Sequence, residues 1–244
     1  MPNHVLTNQQ IFMDDYELTG DTNAIAIEYG VELKDCTVFG NDTRAMKGGL
    51  KTVQIQVVGF FDAATQDSEL FGNIGISNKP ISICAEGGTV GEVAYFFNAV
   101  AGEYSMGESV GELNKFELGA GAQGSLVRGV VGHNAAATPE TSTGIGSALQ
   151  IGVVSSTQRL VGVLHVIESS GTGDQTLDLI IESDDNAGFT SGITQITFDQ
   201  ITTAGTSQII ELDGPLNDDY YRGSFTIAGT GSPSFKFILL FGVI

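Results

Sequence analysis

From Thr52 to Val57 the chain alternates without a break. Val53, Ile55 and Val57 fall on one face of an extended strand, and Thr52, Gln54 and Gln56 fall on the other. A period of two held this long describes a half-buried β-strand, here ending near Gly59-Phe60-Phe61-Asp62. Shorter runs of the same kind recur. Asn23–Tyr29 places Ile25, Ile27 and Tyr29 on one face, Lys79–Ala85 resumes the pattern, and Ala94–Ala101 reads as a buried strand. Leu113–Ala120 and Ser125–Gly132 follow. Glycine is abundant at 33 residues and proline scarce at 5, which favours short strands and tight turns over helices. The one helix expected is Ala63–Phe71. Asp62 is its N-cap, and docking of Leu70 and Phe71 must hold so short a segment in place.

Just before the clearest strand lies a polar, glycine-rich segment, residues 39–51. Lys34, Arg44, Lys47 and Lys51 are four of only ten basic residues in a chain of net charge −19. Gly48-Gly49 is read as a turn where a Cβ would clash. A basic loop in so acidic a chain is suited to an acidic surface, such as another copy of the same chain. The overall charge argues against a grip on nucleic acid, which needs clustered Lys and Arg. An acidic wall would instead let a phosphate backbone slide past, although solubility alone also accounts for the charge.

Organisation changes at residues 133–147, where small and polar residues dominate as in a linker. The expected division is an N-terminal arm at 1–13, a β domain at 14–132, a linker at 133–154 and a second β domain at 155–244. In the last of these, strands near 160–167, 176–182, 194–198, 207–212, 220–227 and 235–241 are separated by turns. That spacing predicts a small antiparallel, immunoglobulin-like β-sandwich.

No catalytic set stands out, and no enzyme is expected. The histidines are His4 in the arm, His133 at the start of the linker and His165 in mid-strand, and none has a nucleophile nearby in sequence. Gly87-Gly-Thr-Val-Gly91 is followed by Glu92 and lacks the lysine of a phosphate loop. Asp184-Asp-Asn-Ala-Gly188 begins like a calcium loop but lacks its closing glutamate, so a hairpin turn is the better reading. No metal and no cofactor are expected. Cys36 and Cys84 allow one disulfide without requiring it. The first residues show no secretory signal, and no run is long enough to span a membrane, so a cytoplasmic origin is expected. Glu103, Glu108, Glu112 and Glu117 form an acidic run, either a solvated face or part of a lumen or subunit contact.

Thr37-Val-Phe-Gly-Asn-Asp-Thr-Arg44, Gly48-Gly-Leu-Lys51 and the strand ending Gly59-Phe-Phe-Asp62 resemble the tail tube (major tail) proteins of tailed bacteriophages. Gly91–Phe97, Tyr104–Gly111, Lys115–Leu118 and Leu126–Gly129 extend the resemblance over roughly residues 14–132. The last ninety or so residues are similar to β-sandwich modules appended to phage virion proteins. The resemblance implies a mainly β chain, with a tail-tube-like barrel or sandwich domain carrying one short helix. It implies a tube subunit assembled in the host cytoplasm and residing in the virion tail. Its partners would be itself, in stacked homo-oligomeric rings, and other tail or neck proteins. Genome DNA would pass through an acidic lumen without specific binding, and no membrane insertion is implied. Arg44, Lys47, Gly48, Gly49 and Lys51 would contact the adjacent ring, and Glu103, Glu108, Glu112 and Glu117 would face the lumen or an interface. Two alternatives stay open: a capsid decoration or head–tail joining protein, and a surface- or carbohydrate-binding adhesin.

Overall fold

The computed structural model describes residues 8–244. In chain order the elements are β1 (Gln10–Met13), β2 (Tyr16–Glu17), β3 (Thr22–Asp35), β4 (Met46–Phe60), α1 (Gln66–Gly72), β5 (Lys79–Cys84), β6 (Val93–Met106), β7 (Lys115–Ala122) and β8 (Val127–Asn134). Then come β9 (Gly144–Ile145), β10 (Leu149–Gln150), β11 (Arg159–Ser170), β12 (Thr176–Asp184), β13 (Ile193–Thr197), β14 (Thr206–Asp213), β15 (Tyr220–Ala228) and β16 (Ser234–Val243). The protein is mainly β, with antiparallel sheets and α1 as the one helix among the described residues. His4 lies outside the described residues, as does most of the expected arm. The arm's last residues, Gln10–Met13, are strand β1.

Two compact units interleave along the chain. The larger comprises residues up to Gly20, Lys79–Phe97 and Val127–Ile244, and the smaller comprises Asp21–Asn78 and Asn98–Leu126. β6 serves both: Val93–Phe96 pairs with β8 in the larger unit, and Ala99–Met106 pairs with β7 in the smaller.

In the larger unit one sheet runs β14-β11-β16-β8-β6-β5-β1-β2, and a second runs β10-β15-β12-β13 with β9 also on β15. Between them Leu160, Leu164, Leu179, Ile181, Phe225 and Phe237 form a buried core. The first sheet is covered on its other face too, where Phe12, Phe96, Val161, Val163, Ile238 and Leu240 cluster. Burial on both sides explains the unbroken apolar run Phe237–Phe241, which obeys no alternation. The segment expected to be a linker lies inside this unit: Ala135, Ala136 and Val154 are all buried. Ala135 and Ala136 are small where the packing is close, whereas residues 137–139 and 141–143 are exposed.

In the smaller unit the sheet order is β3-β4-β7-β6, and it does not close into a barrel. Val53, Ile55 and Val57 point to the core as the alternation predicts, alongside Phe116, Leu118, Ala99 and Ala101. Gly59 is required where strands and core meet, since a Cβ there would stand 2.1 Å from the Asp21 carbonyl oxygen and 2.5 Å from the Phe116 ring. α1 begins later than expected, with Thr65 and not Asp62 at the N-cap position. Asp62 Oδ1 instead accepts the Ala64 N–H at 2.8 Å, closing a turn ahead of the helix. Leu70 docks with 1% exposure, whereas Phe71 is 70% exposed.

Candidate assembly surface

The second part of the basic segment is strand. β4 starts at Met46, so Lys47, Gly48, Gly49, Leu50 and Lys51 all belong to it, and Gly48-Gly49 makes no turn. Leu33 pairs with Gly48, Lys34 with Lys47 and Val31 with Lys51. The register slips between Val31 and Leu33, where Gly49 and Leu50 of β4 stand opposite Glu32 alone, a bulge in β4. Gly49 is one of the two bulge residues, and a Cβ on it would come within 3.2 Å of the Glu32 carbonyl oxygen. The glycine therefore makes room for a bulge.

β3 and β4 form a long hairpin that outruns its sheet. The last pair between β4 and β7 is Gln54 with Gly121. β4 continues from Gln54 back to Met46, roughly 25 Å at about 3.3 Å per residue. Along this length Tyr29, Val31, Leu33, Met46 and Leu50 are exposed, and Phe39 at the tip is 110% exposed. The tip is closed by polar bonds. Asp35 Oδ1 accepts the Thr37 N–H at 2.9 Å, and the Thr37 hydroxyl oxygen accepts the Ala45 N–H at 3.0 Å. The two bonds from Thr37 hold the Asp35 carboxyl below its ordinary range. The ammonium of Lys51 sits 5.9 Å from the Tyr29 ring centre, and Lys34 pairs with Glu32. Arg44, Lys47 and Lys51 make no ion pair with any described residue.

The expected acidic run divides. Glu103 pairs across from Gly119, and Glu117 across from Ser105, which puts both on the polar face of the smaller unit's sheet. Glu28, Gln54 and Gln56 share that face, and Gln56 donates a hydrogen bond to Glu117. Together they line an open trough of about 440 Å³ floored by Gly102, Gly119 and Gly121. Glu108 and Glu112 lie elsewhere, in the loop between β6 and β7. Glu108 pairs with Lys115 at 3.1 Å; the Ser109 N–H and then that lysine hold its carboxyl below the usual range. Glu28 and the two glutamines escape a reading based on runs of charge, though the alternation of β3 and β4 already places them on one face.

The other sequence candidates are structural. His165 is buried, with Nε2 2.7 Å from Ser82 Oγ and Nδ1 2.5 Å from the Asp14 carbonyl oxygen. A serine in contact with a histidine has the makings of a hydrolytic pair. Both are fully buried, however, and a backbone carbonyl stands where a carboxylate would orient the ring. His133 packs between Phe225 and Phe237 near Glu140. Asp184 accepts the N–H groups of Asn186 and Ser191, as a turn residue does. Cys36 is exposed and Cys84 buried, both as free thiols. Among the described residues no group of three His, Cys, Asp or Glu is placed to hold a metal, and no helix is long and apolar enough to cross a membrane.

No family model matches the chain, and no curated protein matches it. Solved structures do. They come from phage tails and related particles. The crystal structure of the SPP1 Dit (gp 19.1) protein is similar at TM-score 0.41 and 13% identity, over 98% of this chain and 100% of its own. A chain of the native gene transfer agent virion is similar at TM-score 0.41 and 19% identity, over 50% of this chain and 95% of its own. The SPP1 tail tube is similar at TM-score 0.40 and 8% identity, over 50% of this chain and 76% of its own.

Proposed function

We propose that this chain is a non-enzymatic structural subunit of a phage tail, and specifically a tube subunit whose copies associate into stacked rings around a passage for DNA. The observation that carries the reading is the β3–β4 hairpin. It extends well past its own sheet with Tyr29, Val31, Leu33 and Leu50 exposed along it. Apolar side chains held out on a rigid, hydrogen-bonded ladder fit a protein surface better than water. β3 is also a long edge strand, pairing with β4 and no other described strand. An unpaired edge of this length is a template for another chain.

The polar face of the same sheet supports the passage. It carries Glu28, Glu103 and Glu117, and the lysine at its lower end, Lys115, is already paired with Glu108. The carboxylates of this wall repel a phosphate backbone, and the face offers no free cation to hold it. Electron microscopy and light scattering of the purified full-length chain test the reading. Rings or tubes are the expected result, and a chain that stays monomeric at every concentration tried sinks it.

A further inference from the structure

The first sheet of the larger unit ends in β14 on one side and in the β1–β2 hairpin on the other, and no backbone ladder joins these two ends among the described strands. Side chains join them instead, and they meet at Asp14, in the turn between β1 and β2. The Asp14 N–H donates to the Pro80 carbonyl oxygen at 2.8 Å. Its carboxylate accepts from Lys79 of β5 and from the Ser207 hydroxyl of β14. Its carbonyl oxygen lies 2.5 Å from His165 Nδ1 of β11.

His165 suits this place only as a neutral ring. A carbonyl oxygen only accepts, so Nδ1 carries the proton and Nε2 is left to accept from the Ser82 hydroxyl at 2.7 Å. Phe12 of β1 stacks over the ring with 5.7 Å between centres, and both residues are fully buried. Protonation turns Nε2 into a donor, sets it against the hydroxyl's own hydrogen and places a charge in a buried site. The β1–β2 turn brings the Asp14 and Asp15 carboxylates to this network and β5 brings the Lys79 ammonium, whereas Ser207 of β14 and Ile238 of β16 are uncharged. Lys79 is already taken up by Asp14. Asp15 works against the histidine, because burial raises its carboxyl and acid then favours the docked turn.

We infer that His165 is an acid-sensitive latch on the β1–β2 hairpin. Taking up a proton loosens the hairpin from β5, β11 and β14, while the second sheet, β10-β15-β12-β13, stays folded. The release is local because the groups that hold the ring come from β1, the turn after it and β5. It does not depend on whether copies associate. What it uncovers is Cys84 of β5, a buried thiol that stands opposite Gln10 of β1.

Cys84 therefore reports the opening in the full-length, unassembled chain. The probe is a dipyridyl disulfide, which reacts with thiols in acid as well as at neutral pH, and mass spectrometry separates Cys84 from Cys36. Protection is the rate in urea-unfolded chain over the rate in native chain at the same pH. With the ring titrating near 4 when docked and near 6.5 when released, protection is expected to fall by about 20-fold from pH 7 to pH 5, less what Asp15 returns. His165→Gln keeps a donor for the Asp14 carbonyl and an acceptor for Ser82 but takes up no proton, so its protection is expected to stay level. Hydrogen exchange of the wild-type chain gives an independent reading, in which β1 and β5 amides lose protection with falling pH ahead of those in β12 and β15. Level protection of Cys84 in wild type overturns the latch, as does an equal fall in the His165→Gln chain. So does exchange that quickens equally in β12 and β15, which would mark unfolding of the whole unit.

Discussion

Ser82 Oγ lies 2.7 Å from His165 Nε2, with neither residue exposed, and this contact ties β5 to β11 across the larger unit. Burial pushes the His165 pKa down to about 4, against opposing pulls from the Asp14 carbonyl and the Asp14 charge. The unfolded chain therefore binds a proton at this site before the folded one does. The stability contributed by the neutral ring is whole above the unfolded value of 6.5 and drains away as pH falls toward 4. The loss is on the order of 3 kcal/mol. Denaturant melts between pH 7 and pH 4 should show it. His165→Leu leaves the Ser82 hydroxyl and the Asp14 carbonyl without partners, so it should be less stable at pH 7 and show a flatter dependence over the same range. An unchanged slope in the variant would assign the acid sensitivity to other groups.

Gly162 faces the core between the two sheets, where an added Cβ would stand 2.6 Å from Ile181 Cδ1 and 3.1 Å from Phe198 Cζ. Gly162→Ala should cost about 1–3 kcal/mol through overpacking. Gly121 is the control. A Cβ there meets nothing within 4 Å, and its backbone is not left-handed, so Gly121→Ala should stay within about 0.5 kcal/mol of wild type. Urea unfolding compares the two directly.

Several of these relationships could be read in the chain and others could not. Val53, Ile55 and Val57 were legible because one face of β4 is buried and the other wet, so the pattern repeats every second residue. Beyond Lys51 neither face is buried, the constraint vanishes, and Gly48-Gly49 looks like a turn although it continues the strand. Ala135 and Ala136 look like linker residues because small side chains serve a flexible segment and a tight core equally well. The interleaving of the two units rests on pairings such as Val93 with Val130, far apart in sequence, and local patterns do not encode these. The basic side chains were visible as a cluster. Their place at one end of a ladder, with Glu108 and Glu112 at the other, needed the register.

Leu70 and Phe71 separate docking from display. Leu70 is 1% exposed on the inner side of α1, and Leu70→Ala should destabilise the smaller unit by about 2–5 kcal/mol. Phe71 is 70% exposed, and Phe71→Ala should change stability by no more than about 0.5 kcal/mol. Hydrogen exchange at the β4 and β7 amides reads the unit's opening. Equal protection in both variants would mean that α1 contributes little to holding the sheet.

The two thiols report on the hairpin without any new side chain. Cys84 is buried, and desolvation pushes its pKa up to about 12, so almost none of it is thiolate near neutral pH. Cys36 stands exposed at the base of the tip, with its sulfur 3.3 Å from the Ala45 carbonyl oxygen. Native, unassembled chain should take up one maleimide, at Cys36, and denatured chain two, with mass spectrometry locating each. In assembled material Cys36 should be shielded if the tip sits against a neighbouring copy. Full labelling of Cys36 within intact rings would place the hairpin tip in solvent and remove it from the contact between copies.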